Sequence, residues 1–140
     1  DEFGHGAGDE VLRIIAKRVS EGIRGFDTAI RLGGEEFVVL MPNVDARAAV
    51  TAANRIRAMI ADNPFAIDGI DQPRTVTISI GVATCVAGRN NLSELLDRAD
   101  QALYTAKNGG RNRGEAAADD ARGMTGLRAD QDIVRQVLRA

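Results

Sequence analysis

The chain has 140 residues, 44% of them apolar and 27% charged, a composition typical of one globular domain with its own core. Its net charge of −2 argues against nucleic acid as a partner, because a basic surface is what attracts phosphate backbones. The single cysteine excludes an internal disulfide, and no apolar run approaches the length of a membrane span. The acidic start has no signal-peptide pattern, so we expect a cytoplasmic protein without membrane contact.

The first predicted elements are a loop, a helix and a hairpin. The glycine-rich start "DEFGHGAGD" predicts a loop. From Glu10 an apolar stripe at helical spacing predicts a helix, which Asp9 is placed to cap and which Gly22 and Gly25 end. The β-prone runs "AIRL" and "FVVLM" follow, and the glycine pair between them is a strong hairpin signal.

The next elements are two helices and a strand. A helix is predicted from Asp45 to about Ala61, and "NPFAIDGIDQPR" is a connecting segment with room for a short edge strand. "TVTISIGVAT" is the clearest strand, and an amphipathic helix runs from about Leu92 to Lys107. This order predicts an α/β (α+β) fold, with helices packed on a central, mainly antiparallel sheet.

The composition changes beyond Gly114, and we therefore divide the chain into a domain, 1–114, and a tail, 115–140. The stretch "EAAADDARGMTGLRAD" is small, polar and without period, as in a linker. The last stretch, "QDIVRQVLRA", predicts either a short amphipathic helix or a frayed terminus, since short helices are marginal in water.

The hairpin sequence "RLGGEEFVVLM" allows two interpretations. Gly33 and Gly34 leave the backbone bare, so an anionic group can approach the amides, while Glu35 and Glu36 point to opposite faces of a strand. A carboxylate beside a phosphate requires a cation, and oxygen ligation suits Mg²⁺. The alternative is a solvated hairpin tip, which these residues taken alone favour.

Cationic residues form two further clusters. In "AKNGGRNR", Lys107 and Arg111 flank a glycine pair and are suited to grip a triphosphate, as a point charge and a planar fork. Taken alone, the cluster is better explained by cations that stabilise a helix C-terminus through its dipole and by a glycine stop. In "RGFD", Arg24 and Asp27 are three residues apart and indicate a local ion pair.

Taken together, these blocks resemble the GGDEF family, the diguanylate cyclases. The resemblance runs from Asp1 to Arg113 through "FGHGAGDEVL", "RGFDTAIRLGGEEFVVLMP", "TISIGVA" and "RADQALYTAKNGGRN", and "GGEEF" is a common active variant of the family signature. It implies a fold similar to the palm of polymerases and nucleotidyl cyclases. It also implies a homodimer in which each domain holds one GTP, and the two GTP give cyclic di-GMP and two pyrophosphates.

The resemblance implies a role for each matched residue. Gly33 and Gly34 would cradle the phosphates. Glu35 would hold a divalent metal, Mg²⁺ or Mn²⁺, and Glu36 would act beside it as a metal ligand or in activating the hydroxyl. The other matched positions are Asp9 for the guanine edge, Lys107 and Arg111 for the terminal phosphates, and Arg24, Asp27 and Arg55 for an inhibitory site that binds the product.

The family pattern begins upstream of Asp1, with a central strand that carries a metal-binding aspartate and with an asparagine that contacts guanine. A sheet without that strand exposes unpaired edges, and a metal site without that carboxylate binds weakly. We therefore expect residues 1–140 alone to be a poor catalyst. The alternative function is a non-catalytic module that senses GTP or cyclic di-GMP. In either case the resemblance implies an upstream sensory or receiver domain as the partner that controls it.

Overall fold

A computed structural model describes residues 5–25, 27–33, 36–42, 44–86, 92–117 and 132–139. The elements in chain order are α1 (His5–Gly22), β1 (Thr28–Gly33), β2 (Glu36–Pro42), α2 (Ala46–Ala61), β3 (Ser79–Val86), α3 (Leu92–Asn108), β4 (Gly114–Ala116) and β5 (Asp132–Arg139). The helices pack on a five-stranded sheet with the strand order β1-β2-β5-β3-β4. Every strand pairing is antiparallel except that of β3 with β4, which confirms the mainly antiparallel sheet.

Apolar side chains cover both faces of the sheet. On one face, Phe37 and Val39 of β2 join the core formed with α1 and α2. On the other face, Val38 of β2 joins the core formed with α3. A strand that is covered on both faces reads as a continuous apolar run, which explains why "FVVLM" does not alternate.

Helix α2 forms as its sequence predicts. The Asp45 carboxylate caps its N-terminus by accepting a hydrogen bond from the Ala48 N–H at 2.7 Å. Its buried residues Ala49, Ala53, Ile56 and Ile60 recur every three or four positions, which places them on one face of the helix. The small alanines let this helix lie close to the sheet.

The connection between α2 and β3 contains one isolated antiparallel bridge, between Phe65 and Arg74, in place of the expected edge strand. Each of these two residues donates its N–H to the carbonyl oxygen of the other, at 2.7 and 2.9 Å. The Phe65 side chain is fully buried, and the Arg18 guanidinium lies 4.2 Å above its ring. Strand β3 begins at Ser79, later than the β-prone run that starts at Thr75.

The start of the chain differs from the prediction, because α1 begins at His5 where the glycines predicted a loop. Asp9 therefore lies inside the helix as an exposed residue and does not cap it. The buried contacts of Ile15 and Val19 with the core hold the helix in place, and such packing overrides the low helix propensity of glycine.

The C-terminal segment also differs, because residues Asp132–Arg139 form a strand where the sequence predicted a short helix or a frayed end. This strand lies between β2 and β3 and pairs with both. The prediction of unpaired edges in the middle of the sheet is therefore wrong for the part of the chain that the structure describes. The division at Gly114 stays a prediction, although that residue begins the short strand β4.

Candidate active site and product site

The hairpin that carries the signature forms between β1 and β2. Gly33 pairs with Glu36, and the register shifts between Arg31 and Gly33. Gly34 and Glu35, which connect the two strands, lie outside the described residues. The hairpin signal is thus confirmed, and Glu36 opens β2 with a half-buried side chain.

The backbone pairing extends from this hairpin across the sheet. Glu36 lies opposite Arg139 of β5, and Arg139 lies opposite Ser79 of β3 on its other side. The next residue of β3, Ile80, donates its N–H to the Arg113 carbonyl oxygen at 2.9 Å. The hairpin and the turn after α3 therefore lie at the same end of the sheet, about 14 Å apart if each strand spacing is about 4.8 Å.

That turn carries the predicted phosphate-binding cations. Lys107 lies half-buried in the last turn of α3, and Arg111 is exposed. The Arg111 N–H donates to the Ala106 carbonyl oxygen at 3.0 Å, and Arg111 adopts a φ of 63°, a conformation uncommon for a residue with a side chain. The backbone conformation thus sets the direction in which the Arg111 side chain projects from the turn. The predicted glycine stop of α3 is confirmed by Gly110, which has a φ of 116°.

Two residues of α2, which the sequence did not single out, hold this turn. Asn54 accepts a hydrogen bond from the Gly114 N–H at 3.2 Å. Arg57, one helical turn further, donates to the Asn112 side-chain oxygen at 3.2 Å. The available signal was that these two polar residues lie three positions apart on α2, but their partners lie far along the chain.

The predicted inhibitory residues form a second cluster where α1 leads into β1. The Arg24 guanidinium binds the Asp27 carboxylate with two hydrogen bonds, at 2.8 and 3.1 Å, and donates to the Pro42 carbonyl oxygen at 3.1 Å. The Asp27 side chain is fully buried, whereas that of Arg24 is 40% exposed. This pair is therefore a bidentate and partly buried one, stronger than the surface ion pair that the spacing alone indicated.

Arg55 of α2 reaches the same cluster. Its guanidinium donates to the Gly22 carbonyl oxygen at 2.7 Å, two residues before Arg24. The structure therefore brings together all three residues predicted for the product site. It places Asp9 elsewhere, on the exposed surface of α1.

The carboxylates fit a divalent cation by their chemistry. Glu36 is half-buried at the hairpin, directly after Glu35, and hard cations such as Mg²⁺ prefer carboxylate oxygens. No group of three or more histidine, cysteine, aspartate or glutamate side chains suited to a metal occurs among the described residues.

Comparison with known proteins decides the family. Residues 1–113 match the family model described as diguanylate cyclase, GGDEF domain. The chain belongs to the GGDEF family. Two relatives of this GGDEF chain are the response regulator PleD of Caulobacter vibrioides, 44% identical over 112 residues, and diguanylate cyclase A of Treponema denticola, 43% identical over 113 residues. These stretches cover 80% and 81% of this chain but only 25% and 30% of the two relatives.

Solved GGDEF domains share the fold. The active GGEEF domain of a diguanylate cyclase from Vibrio cholerae is 36% identical with a TM-score of 0.74, over 84% of this chain and 72% of that domain. The GGDEF domain of DgcB from Caulobacter crescentus in complex with c-di-GMP is 33% identical with a TM-score of 0.77, over 84% of this chain and 68% of that domain. The palm-like fold is thereby confirmed. In the described part of this GGDEF chain, no helix is long and apolar enough to cross a membrane.

Proposed function

We propose that this GGDEF domain condenses two GTP into cyclic di-GMP and two pyrophosphates. The observation that supports the proposal is the shared location of the signature hairpin and the cationic turn at one end of the sheet. Carboxylates at the hairpin, through a bound metal, and cations in the turn are together suited to the triphosphate of one nucleotide. The catalytic unit is a homodimer, because each domain holds one of the two substrates.

In this proposal each residue of the site binds or orients the substrate. The backbone N–H groups at Gly33 and Gly34 donate hydrogen bonds to the phosphates, Lys107 and Arg111 hold the terminal phosphates, and Asp9 accepts hydrogen bonds from the guanine edge. Glu35 and Glu36 would hold Mg²⁺ or Mn²⁺, which when bound neutralises developing charge on the phosphate. Facing domains align the 3′-hydroxyl of one GTP with the α-phosphate of the other, and proximity of this kind lowers the barrier.

The test is incubation of the chain with GTP and Mg²⁺ and chromatographic separation of the products. We expect slow formation of cyclic di-GMP, and a loss of about 100-fold or more for Glu36→Gln, which removes a charge but keeps the shape. Asp71→Asn is the matched control, because Asp71 is exposed in the segment between α2 and β3. Unchanged GTP together with measurable GTP binding would contradict the enzyme and support a sensor that binds without catalysis.

We further propose that Arg24, Asp27 and Arg55 bind cyclic di-GMP and arrest the cyclase. The convergence of these residues supports the proposal, because buried Asp27 holds the Arg24 guanidinium in one orientation while 40% of that side chain stays exposed. A fixed guanidinium offers a fork to a phosphate and a plane to a guanine ring.

Calorimetric titration with cyclic di-GMP tests the product site separately from catalysis. Arg24→Lys and Arg55→Lys keep the charge but lose the planar fork, and we expect each to weaken binding by at least tenfold. Arg47→Lys is the control, because Arg47 is an exposed arginine in the first turn of α2. Binding that both cluster variants retain at wild-type strength would exclude the site.

A further inference from the structure

The turn that carries Arg111 has a conformation that its own residues disfavour. Arg111 and Asn112 follow one another with φ values of 63° and 46°, and both have side chains. Left-handed residues of this kind cost free energy, and two in succession persist only where the surrounding structure holds them. A glycine at either position would form the same turn without that cost. The strain therefore comes from placing a side chain, rather than a glycine, at position 111.

Contacts on one side tie this turn to the end of α3. The Arg111 N–H donates to the Ala106 carbonyl oxygen at 3.0 Å. The Arg113 side chain folds back over the glycine pair, since a Cβ on Gly109 or Gly110 would lie 2.9 or 2.8 Å from its guanidinium nitrogens. The Arg113 Nε also donates to the Arg111 carbonyl oxygen at 3.3 Å. All these contacts lie within residues 106–113, so none of them reaches another helix.

Helix α2 holds the other side of the turn, at two residues that follow Arg111. The Asn54 side-chain oxygen accepts from the Gly114 N–H, and the Arg57 guanidinium donates to the Asn112 side-chain oxygen. A Cβ at Gly114 would lie 3.3 Å from that Asn54 oxygen, so the backbone runs directly against α2. Because Asn112 is one of the two left-handed residues, the bond from Arg57 acts on the strained part of the turn.

We propose that Asn54 and Arg57 are positioning residues for the phosphate-binding turn. They hold the backbone from which Arg111 projects toward the terminal phosphates, and neither of them contacts the substrate. A guanidinium binds a phosphate well only when its planar fork is aimed at it, and a small misplacement of such a group weakens the interaction. The proposal rests on the proposed function, since Arg111 holds these phosphates only where GTP binds.

The test compares ligands with and without terminal phosphates, on the whole chain in the presence of Mg²⁺. The ligands are a non-hydrolysable GTP analogue with a β,γ-imido bridge, and GMP, and NMR titration measures both dissociation constants. Asn54→Leu and Arg57→Met each remove one hydrogen bond to the turn and keep a side chain of similar size. We expect each to weaken binding of the GTP analogue by about fivefold and to leave that of GMP unchanged.

Three further variants separate positioning from other effects. Asn54→Asp keeps an acceptor oxygen for the Gly114 N–H and should bind the GTP analogue better than Asn54→Leu. Arg57→Met should have no further effect in a chain that carries Asn112→Gly, because the bond is already absent there. Arg47→Met is the matched control, since it removes the same charge from an exposed site about 15 Å along α2.

The outcomes separate the positioning role from its alternatives. Equal losses for the GTP analogue and GMP would show a general loss of stability and would overturn the role, as would unchanged affinity for the analogue. A further loss from Arg57→Met beside Asn112→Gly would show that Arg57 acts on the phosphates by its charge and not through the turn.

The proposed function fails in a different way. If the chain forms no cyclic di-GMP from GTP but the variants still lose affinity for the GTP analogue alone, the cyclase is contradicted and the positioning role stands. If the unsubstituted chain binds the analogue no more tightly than GMP, the turn does not hold terminal phosphates and both proposals are wrong.

Discussion

At the scale of single residues, Gly81 sets how closely α3 can lie on the sheet. A Cβ at this position would overlap the Ala99 carbonyl oxygen and the Leu103 nitrogen and would lie 2.9 Å from the Leu103 Cα. All three are backbone atoms of a helix and cannot rotate away. The glycine in "TISIGVA" is therefore required by packing.

We expect Gly81→Ala to lower the free energy of unfolding by roughly 3 kcal/mol or more, because either β3 or α3 must move. Urea denaturation followed by circular dichroism measures this change. Gly6→Ala is the matched control, since nothing lies within 4 Å of its added Cβ and helix propensity favours alanine by about 1 kcal/mol. Equal effects of the two substitutions would contradict the close approach at Gly81.

Arg24 and Asp27 contribute unequally to stability, because only one of them reaches solvent. The Asp27 side chain is fully buried, so Arg24→Ala leaves a buried carboxylate without its cation. Asp27→Ala leaves an arginine that is 40% exposed and that water can solvate. We expect Arg24→Ala to cost about 3 kcal/mol and Asp27→Ala about 1 to 2 kcal/mol in unfolding free energy. Urea denaturation of both variants and of the double variant measures which substitution costs more unfolding free energy. A larger cost for Asp27→Ala than for Arg24→Ala would contradict the burial of the Asp27 side chain.

At the scale of elements, the helices and the hairpin follow from local patterns. The hairpin forms at its glycine pair, and α2 begins after Asp45 as the cap signal predicted. The predicted loop at the start of α1 was wrong because glycines tolerated in a packed helix cannot be distinguished by sequence from glycines in a loop. The predicted short helix or frayed end at the C-terminus was wrong because the apolar spacing of that segment suits a helix or a strand.

The cap of α2 gives a prediction for one element. We expect Asp45→Ala to lower the unfolding free energy by about 1 kcal/mol, since the Ala48 N–H loses its acceptor. Asp45→Ser keeps an acceptor oxygen at the cap and should restore most of that loss. Thermal melts of the three proteins provide the measurement, and equal melting temperatures for alanine and serine would contradict the cap.

At the scale of the whole molecule, two cores share one sheet. Ile56 of α2 lies in the core on one face, and Leu103 of α3 lies in the core on the other. Because β2 contributes Val39 to the first core and Val38 to the second, loss of either core disturbs the strands that support the other. The two faces should therefore unfold together.

We expect Ile56→Ala and Leu103→Ala each to cost about 2 to 5 kcal/mol and each to shift a single transition. Methyl NMR signals from both faces, followed through a urea titration, measure whether the transitions coincide. Val50→Ala, at a half-buried site on α2, serves as the control with a smaller loss. Separate midpoints for the two faces would show that the sheet does not couple the cores.

The local sequence was sufficient for the family, the signature hairpin and the helices α2 and α3, because each depends on neighbouring residues or on an ordered set of motifs. Contacts between distant parts of the chain decided the rest. Asn54 and Arg57 became supports of the turn that carries Arg111 only because α2 packs beside β3 and β4. Asp132–Arg139 became the central strand because β2 and β3 offered backbone partners on both sides. Those partners lie about 50 to 100 residues earlier in the chain, where no local periodicity can register them.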